Sequence, residues 1–323
     1  MQSREQETIQ SNDRRSYLKG AMAAALVAAT GIETAAAQDG FDAKYFPGFT
    51  RSEVKTTGAS INVLKGGSGP PLLLIHGAPQ SHISWRLVAS EFAKTHTVII
   101  PDLRGYGDSS KPEGGDNHIN YSKRALALDQ IEVMKHFGYD RFPLIGHDRG
   151  GRVGHRLVLD HPKAVTHLAV IDIVPTYYLY THVTIEFVQA YFHWFNYLRA
   201  APGPENELVA QAAARQAQAT TDVQREYLRV TSTPEFAHGM CEDYRAGASI
   251  DLKHDEADLN KKIVCPLLVL WGERAPMGRI YDVLKIWRER GVKVSGKGLP
   301  GGHTLQEDVP EQFIAEIRAF LKA

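Results

Sequence analysis

The chain has 323 residues, and 37 Lys plus Arg balance 37 Asp plus Glu, so the formal net charge is zero. An apolar share of 43% and a charged share of 23% are ordinary for a globular protein, and the length suits one large α/β domain or two small ones. The balance gives no sign of a nucleic-acid partner or an anionic-membrane partner. Two cysteines, Cys241 and Cys265, are too few for a disulfide framework, and no Cys/His spacing suits zinc.

In chain order, residues 12–20 read NDRRSYLKG, with paired Arg14 and Arg15. An alanine-rich apolar run, AMAAALVAATGI, and a small-residue site, TAAAQ, follow. This resembles a twin-arginine export signal cut after Ala37. The apolar run falls well short of the ~20 residues that span a bilayer. The expectation is therefore a signal peptide at 1–37, a folded protein delivered to the periplasm, and no membrane association after cleavage.

Beyond it, apolar runs alternate with helical patterns. INVLKG, PPLLLIHG and HTVIIPDL read as strands, and SKRALALDQIEVMKHFG as a helix ending at Gly138. RFPLIGHD is a strand running into the helix GGRVGHRLVLDHP, and VTHLAVIDIVP is the next strand. Later come the strand CPLLVLWG, the helix IYDVLKIWRERG, a short strand near VKVSGKG and a last helix from Glu311 to Leu321. Continuous Val/Ile/Leu runs alternating with helices predict a mainly parallel sheet covered on both faces. From Pro175 to about Asp251 no strand pattern occurs; aromatics crowd its first third, APGPEN marks a loop, and QAAARQAQATTDVQREYL reads as a helix. The predicted organisation is an α/β core at 38–174 and 252–323 with a helical cap at 175–251 inserted between two strands.

Residues 146–150, Gly-His-Asp-Arg-Gly, form a G-x-Nu-x-G nucleophile elbow between a strand and a helix, and the nucleophile is Asp148 where esterases have serine. The flanking glycines suit a turn with no room for Cβ. A carboxylate attacks saturated carbon and makes an alkyl ester, which water must then hydrolyse with help from a base and an oxyanion hole. The loop His76-Gly77-Ala78-Pro79-Gln80 follows a strand and offers the backbone N–H of Ala78; Arg149, after the nucleophile, offers the other. His303, in GLPGGHT before the last helix, is the expected base. The acid partner follows one of two strands: Asp172 is favoured over Glu273, and its role is to orient the imidazole.

GHDRGGR (146–152) resembles the elbow of the haloacetate and fluoroacetate dehalogenases of the α/β-hydrolase superfamily; DIVPTY (172–177), FHW (192–194) and CEDYRAGA (241–248) resemble further signatures. The similarity spans nearly all of the chain after the signal. It implies an α/β-hydrolase fold and hydrolytic dehalogenation of short 2-haloacids, with Asp148 as nucleophile, Asp172 as acid and His303 as base. It further implies that Arg149 and Arg152 bind the substrate carboxylate, and that His193, Trp194 and Tyr244 donate to the departing halide. Neither cofactor nor metal is expected, and the partner is a small anionic organic molecule. Oligomeric state stays open, a homodimer included. The chain departs from the family pattern in carrying Ala78 and Thr304 where phenylalanine is common, and its cap looks shorter. An epoxide hydrolase, which shares the aspartate nucleophile, is the main alternative; a non-catalytic receptor built on the same fold is another.

Overall fold

A computed structural model describes residues 40–322; the expected export segment, 1–37, lies outside the described residues. Eight strands form one sheet: β1 (Phe49–Lys55), β2 (Ser60–Gly67), β3 (Pro71–Ile75), β4 (Thr97–Pro101), β5 (Phe142–His147), β6 (Val165–Ile171), β7 (Leu267–Gly272) and β8 (Val294–Leu299). Their order across the sheet is β1-β2-β4-β3-β5-β6-β7-β8. The β1–β2 and β2–β4 pairs are antiparallel and all others parallel. This is the α/β-hydrolase architecture.

Central strands are buried on both faces, which is why they read as unbroken apolar runs. In β5, Leu144 joins the cluster under the helices Lys123–His136 and Arg149–Asp160, while its neighbour Ile145 joins the cluster around Phe313 and Ile317 of the last helix, Pro310–Leu321. Register sets the site. Ile75 pairs with Gly146, His147 with Ile171, Ile171 with Leu270, and Gly272 with Leu299. The carboxyl ends of five adjacent strands therefore finish together, and the loops beyond them share one rim, where parallel α/β sheets bind ligands.

Between β6 and β7 the chain forms helices at Thr176–Thr181, Ile185–Ala190, Phe192–Asn196, Gly203–Gln216, Asp222–Thr231, Pro234–Gly247 and Ile250–Ala257, with no strand. Three local expectations change. The single helix expected over 211–228 is two, because Thr221 starts a new one with a capping box to Gln224. The helix expected to follow the APGPEN loop starts inside it, at Gly203, with Pro204 in its first turn. The helix expected over 280–291 covers only Val283–Arg288, because the side chain of Asp282 caps it, accepting from the Lys285 amide at 3.1 Å. The expected cap boundary near Asp251 falls inside the helix Ile250–Ala257. Cys241 and Cys265 are both buried free thiols.

Candidate active site

Asp148 stands between β5 and the helix Arg149–Asp160 with φ 44° and ψ −115°, a strained conformation for a non-glycine residue. Three close approaches hold the turn. A Cβ on Gly146 would sit 2.5 Å from the Gly150 carbonyl oxygen, and one on Gly150 would sit 2.3 Å from that of Ile75. A Cβ on Gly77 would lie 2.6 Å from Cβ of Asp148, so only glycine lets the two loops meet. The Ala78 amide then donates to Asp148 Oδ2 at 3.1 Å. Arg149 is the first residue of its helix, where backbone N–H groups have no acceptor within the helix.

His303 and Asp172 meet as expected: His303 Nδ1 lies 2.6 Å from Asp172 Oδ2. The other carboxylate oxygen, Oδ1, accepts from the Gly272 amide at 3.0 Å. Asp172 is wholly buried, with φ 54°. Glu273, the other candidate acid, is exposed, and its amide continues the sheet toward the Leu299 carbonyl. Gly272 is essential to this arrangement, because a Cβ there would lie 1.9 Å from the carbonyl oxygen of Gly302, next to His303.

The expected binding residues gather above Asp148. Arg149 and Arg152 lie three residues apart on one helix face and are both buried. Arg149 stacks on Tyr244, with its guanidinium carbon 3.8 Å from the ring centroid, and lies 5.2 Å from the Trp194 ring. Arg152 lies 4.9 Å from that same Trp194 ring. Trp194 and Tyr244 meet edge to face at 5.3 Å, and His193 lies 6.3 Å from Tyr244. Trp194 and Tyr244 are buried while His193 is exposed. Arg152 Nη1 donates to the Val174 carbonyl and the Thr176 hydroxyl at 3.0 and 3.1 Å. Arg149 Nη1 and Nη2, and Arg152 Nε and Nη2, are buried without a protein acceptor. A buried charged donor left unpaired is costly, so four such nitrogens above one carboxylate mark a place for an anion.

Comparison with known proteins agrees with this geometry. Residues 70–308 match the alpha/beta hydrolase fold family. A fluoroacetate dehalogenase from Burkholderia sp is 42% identical over 288 residues, spanning 85% of this chain and 95% of that protein. The chain belongs to the haloacetate dehalogenase family of the α/β-hydrolase superfamily. A soluble epoxide hydrolase from Corynebacterium sp. (strain C12) is 31% identical, spanning 83% of this chain and 95% of that one. A solved α/β hydrolase structure from Nostoc sp PCC 7120 superposes with a TM-score of 0.82 at 48% identity, covering 84% of this chain and 98% of that one.

The electrostatics of this family member shift Asp148 and His303 in opposite directions. Burial opposes ionisation of Asp148, but the charges of His303, Arg152 and Arg149 outweigh it and hold the carboxyl at about 2. Burial opposes protonation of His303, but the Asp172 hydrogen bond and the Asp148 charge outweigh it and raise its pKa. His147, the second elbow residue, is pushed down to about 3, chiefly by burial and then by the charge of His303. It is therefore neutral, and its Nε2–H donates to the His303 carbonyl at 2.8 Å.

Several residues of the site escaped the sequence reading. His76 receives the Leu103 amide at Nε2 (2.9 Å) and donates from Nδ1 to the Gly77 carbonyl (2.8 Å), which braces the oxyanion loop. The hydroxyls of Tyr180 and Tyr191 are buried without a partner. Asp243 binds Arg149 Nε at 2.7 Å. The signal for Asp243 was its place beside Tyr244 in CEDYRAGA; the Tyr180 and Tyr191 hydroxyls had none beyond the aromatic crowding.

Proposed function

We propose that this hydrolase removes halide from short 2-haloacids such as haloacetate, giving glycolate. The observation that carries the reading is the set of four unpartnered guanidinium nitrogens above a carboxylate held ionised in the elbow. The substrate carboxylate occupies the arginines through charge-assisted bonds, each contributing about 1.5–3 kcal/mol. That fixes the carbon bearing the halogen for in-line attack. Ala78 holds Oδ2, which leaves Oδ1 of Asp148 to form the new C–O bond as the C–halogen bond breaks and its electron pair departs with the halide. His193, Trp194 and Tyr244 are the halide donors; their rings lie against one another, and all three side chains can donate.

Hydrolysis of the ester follows. His303 takes a proton from water, the oxygen attacks the Asp148 carbonyl carbon, and the Ala78 and Arg149 amides stabilise the oxyanion at Oδ2. Collapse expels the glycolate oxygen, which takes the proton from His303, and the carboxyl left on Asp148 releases the second water proton to solvent, which regenerates the carboxylate. Alkylation removes the negative charge that helped raise the His303 pKa, so forming the ester makes the imidazole easier to keep neutral.

His303→Asn tests the scheme, because it separates the two steps. Asp148 attacks without a base, so about one halide per enzyme is released and the ester persists. The intact mass after haloacetate should rise by one carboxymethyl group, located on the peptide containing Asp148. Continuous turnover by the variant, or an adduct elsewhere, refutes it. The second reading, epoxide hydrolysis, draws on the Tyr180 and Tyr191 hydroxyls and on the Corynebacterium relative. A neutral epoxide leaves the four arginine nitrogens unpaired, and turnover of an epoxide with no halide from chloroacetate would establish it instead.

Export is part of the same proposal. Mature protein should begin near Gln38 in the periplasm, and replacing Arg14 and Arg15 with lysine should keep the precursor in the cytoplasm. Unchanged export of the Lys-Lys form removes the twin-arginine route.

A further inference from the structure

Asp243 has zero exposure and collects three donors: Arg149 Nε at 2.7 Å, the Tyr106 hydroxyl at 2.7 Å and, in a short contact, Lys123 Nζ. They come from three separate places: the elbow helix, the loop after β4, and the first residue of the helix Lys123–His136. Lys123 itself is 3% exposed. Its ammonium lies 3.5 Å from Asp251 Oδ2, and its backbone amide donates to Asp251 Oδ1 at 2.7 Å.

A buried aspartate paired with Arg149 alone would nearly cancel the charge that the substrate carboxylate needs. The structure avoids this by giving Asp243 a second cation. Arg149 and Lys123 bring two positive charges against the carboxyls of Asp243 and Asp251, and of the two acids only Asp243 meets both cations. Burial raises the Asp251 carboxyl pKa, the charge and backbone amide of Lys123 oppose the rise, and the charge of Asp243 adds to it. The fork geometry also matters. Asp243 takes only Nε, and Tyr244 stacks on the guanidinium plane, so Nη1 and Nη2 are the nitrogens left for an incoming anion.

We propose that Asp243 and Lys123 form a positioning pair for Arg149: Asp243 fixes the guanidinium by its Nε edge, and Lys123 neutralises Asp243 so that Arg149 presents a full positive charge to a substrate carboxylate. The inference rests on the reading that Arg149 binds a carboxylate. Neither residue touches substrate; both act through Arg149.

Lys123→Met is the direct test, with Lys123→Arg and the double variant Lys123→Met/Asp243→Asn beside it, and with acetate as the probe. Acetate binding is measured by ligand-detected NMR, and KM for chloroacetate and chloroacetamide by halide release. Lys123→Met leaves Asp243 to cancel Arg149, so acetate affinity should fall about tenfold, the scale of one partly screened charge pair. KM for chloroacetate should rise with it while kcat, and KM for neutral chloroacetamide, hold. Lys123→Arg keeps the charge and should bind acetate as the wild type does. The double variant removes both charges and should regain most of the lost affinity, which a merely structural role for Lys123 would not allow. Wild-type acetate affinity in Lys123→Met, equal losses on the acid and the amide, or a double variant as weak as the single overturns the proposal. If the wild type binds acetate with this pattern but releases no halide, the dehalogenase reading falls and the positioning pair stands. If the wild type binds no acetate, the pair is overturned.

Discussion

The backbone N–H of Asp148 donates at 3.1 Å to the carbonyl of Ile171, the residue directly before Asp172. Asp172 repeats the pattern one strand further on, donating at 2.7 Å to Leu270. Both carboxylates thus sit one residue past a strand end, still tied to the ladder of the next strand, and both have positive φ. The proposed nucleophile and the acid proposed to orient its base are fixed by the carboxyl end of one sheet, not by independent loops.

Asp172→Asn should keep that edge and lose the chemistry. The asparagine side-chain oxygen can still accept from Gly272, as Oδ1 does now at 3.0 Å, while His303 loses its anionic partner. Steady-state halide release should drop roughly 10⁴-fold, by analogy with the loss of an orienting acid elsewhere. A burst of about one halide per enzyme should survive, since alkylation needs no base. Rapid-quench halide assay decides it; loss of the burst would mean that Asp172 also supports the first step.

The two steps should differ in pH dependence. Alkylation requires ionised Asp148, held down at about 2, so burst release should stay flat between about pH 5 and 8. Hydrolysis requires neutral His303, whose pKa is raised in the free enzyme, so NMR titration of its imidazole should place it above the ordinary value of about 6.5. Esterified Asp148 no longer carries charge, so the acid limb of kcat should fall below that NMR value. A kcat limb at or above it removes Asp148 as a cause of the shift.

Gly272→Ala should be damaging although it adds one methyl group. Its Cβ would stand 1.9 Å from the Gly302 carbonyl oxygen, so the loop carrying His303 must move. Overpacking of this kind costs about 1–3 kcal/mol, read as a lower Tm. Hydrolysis should suffer more than alkylation, because the displaced residue is the proposed base. Equal loss of both steps would show that the damage spreads to the elbow.

A buried histidine couples the stability of the fold to pH. His82 lies between Asp102, at 2.9 Å, and Asp42, at 3.2 Å, with no exposure. Burial opposes its charge, but the two aspartates outweigh burial and raise its pKa to about 10. A raised folded-state pKa means stabilisation that is complete below the unfolded value of about 6.5 and lost as pH climbs through about 10. Tm should therefore decline from neutral pH to about pH 10.5, and His82→Gln, less stable at pH 7, should decline less. Parallel curves for the two proteins would remove His82 as the source.

What the sequence made legible was local. Asp148, Arg149 and Arg152 come from one seven-residue motif, and Asp172 and His303 follow recognisable strands, so chain order alone placed them. β1 was missed because it is an edge strand: in FTRSEVK only Phe49 and Val54 are buried, too few for a periodic signal. The break between 216 and 222 was readable in principle, since Thr221 and Gln224 have capping-box spacing, but the alanine-rich surroundings favoured one long helix. The network around Asp243 was not readable. Its partners Arg149 and Lys123 are 94 and 120 residues away, and a lone acid or lysine in a helical pattern reads as a solvated face.

Tyr244 and Trp194 belong to the helices between β6 and β7, yet the guanidinium groups of Arg149 and Arg152, rooted in the elbow, lie against them. Trp194, Tyr244 and Asp243 are therefore encoded in a single contiguous stretch of gene, while Asp148, Asp172 and His303 are encoded entirely outside it. Under the proposed mechanism, recombination within the stretch would remodel which molecules are accepted and leave the bond-breaking residues in place. A transplanted stretch lacking an acid at the Asp243 position, however, would arrive with nothing to steady Arg149, so new specificities should be inherited in blocks and not residue by residue.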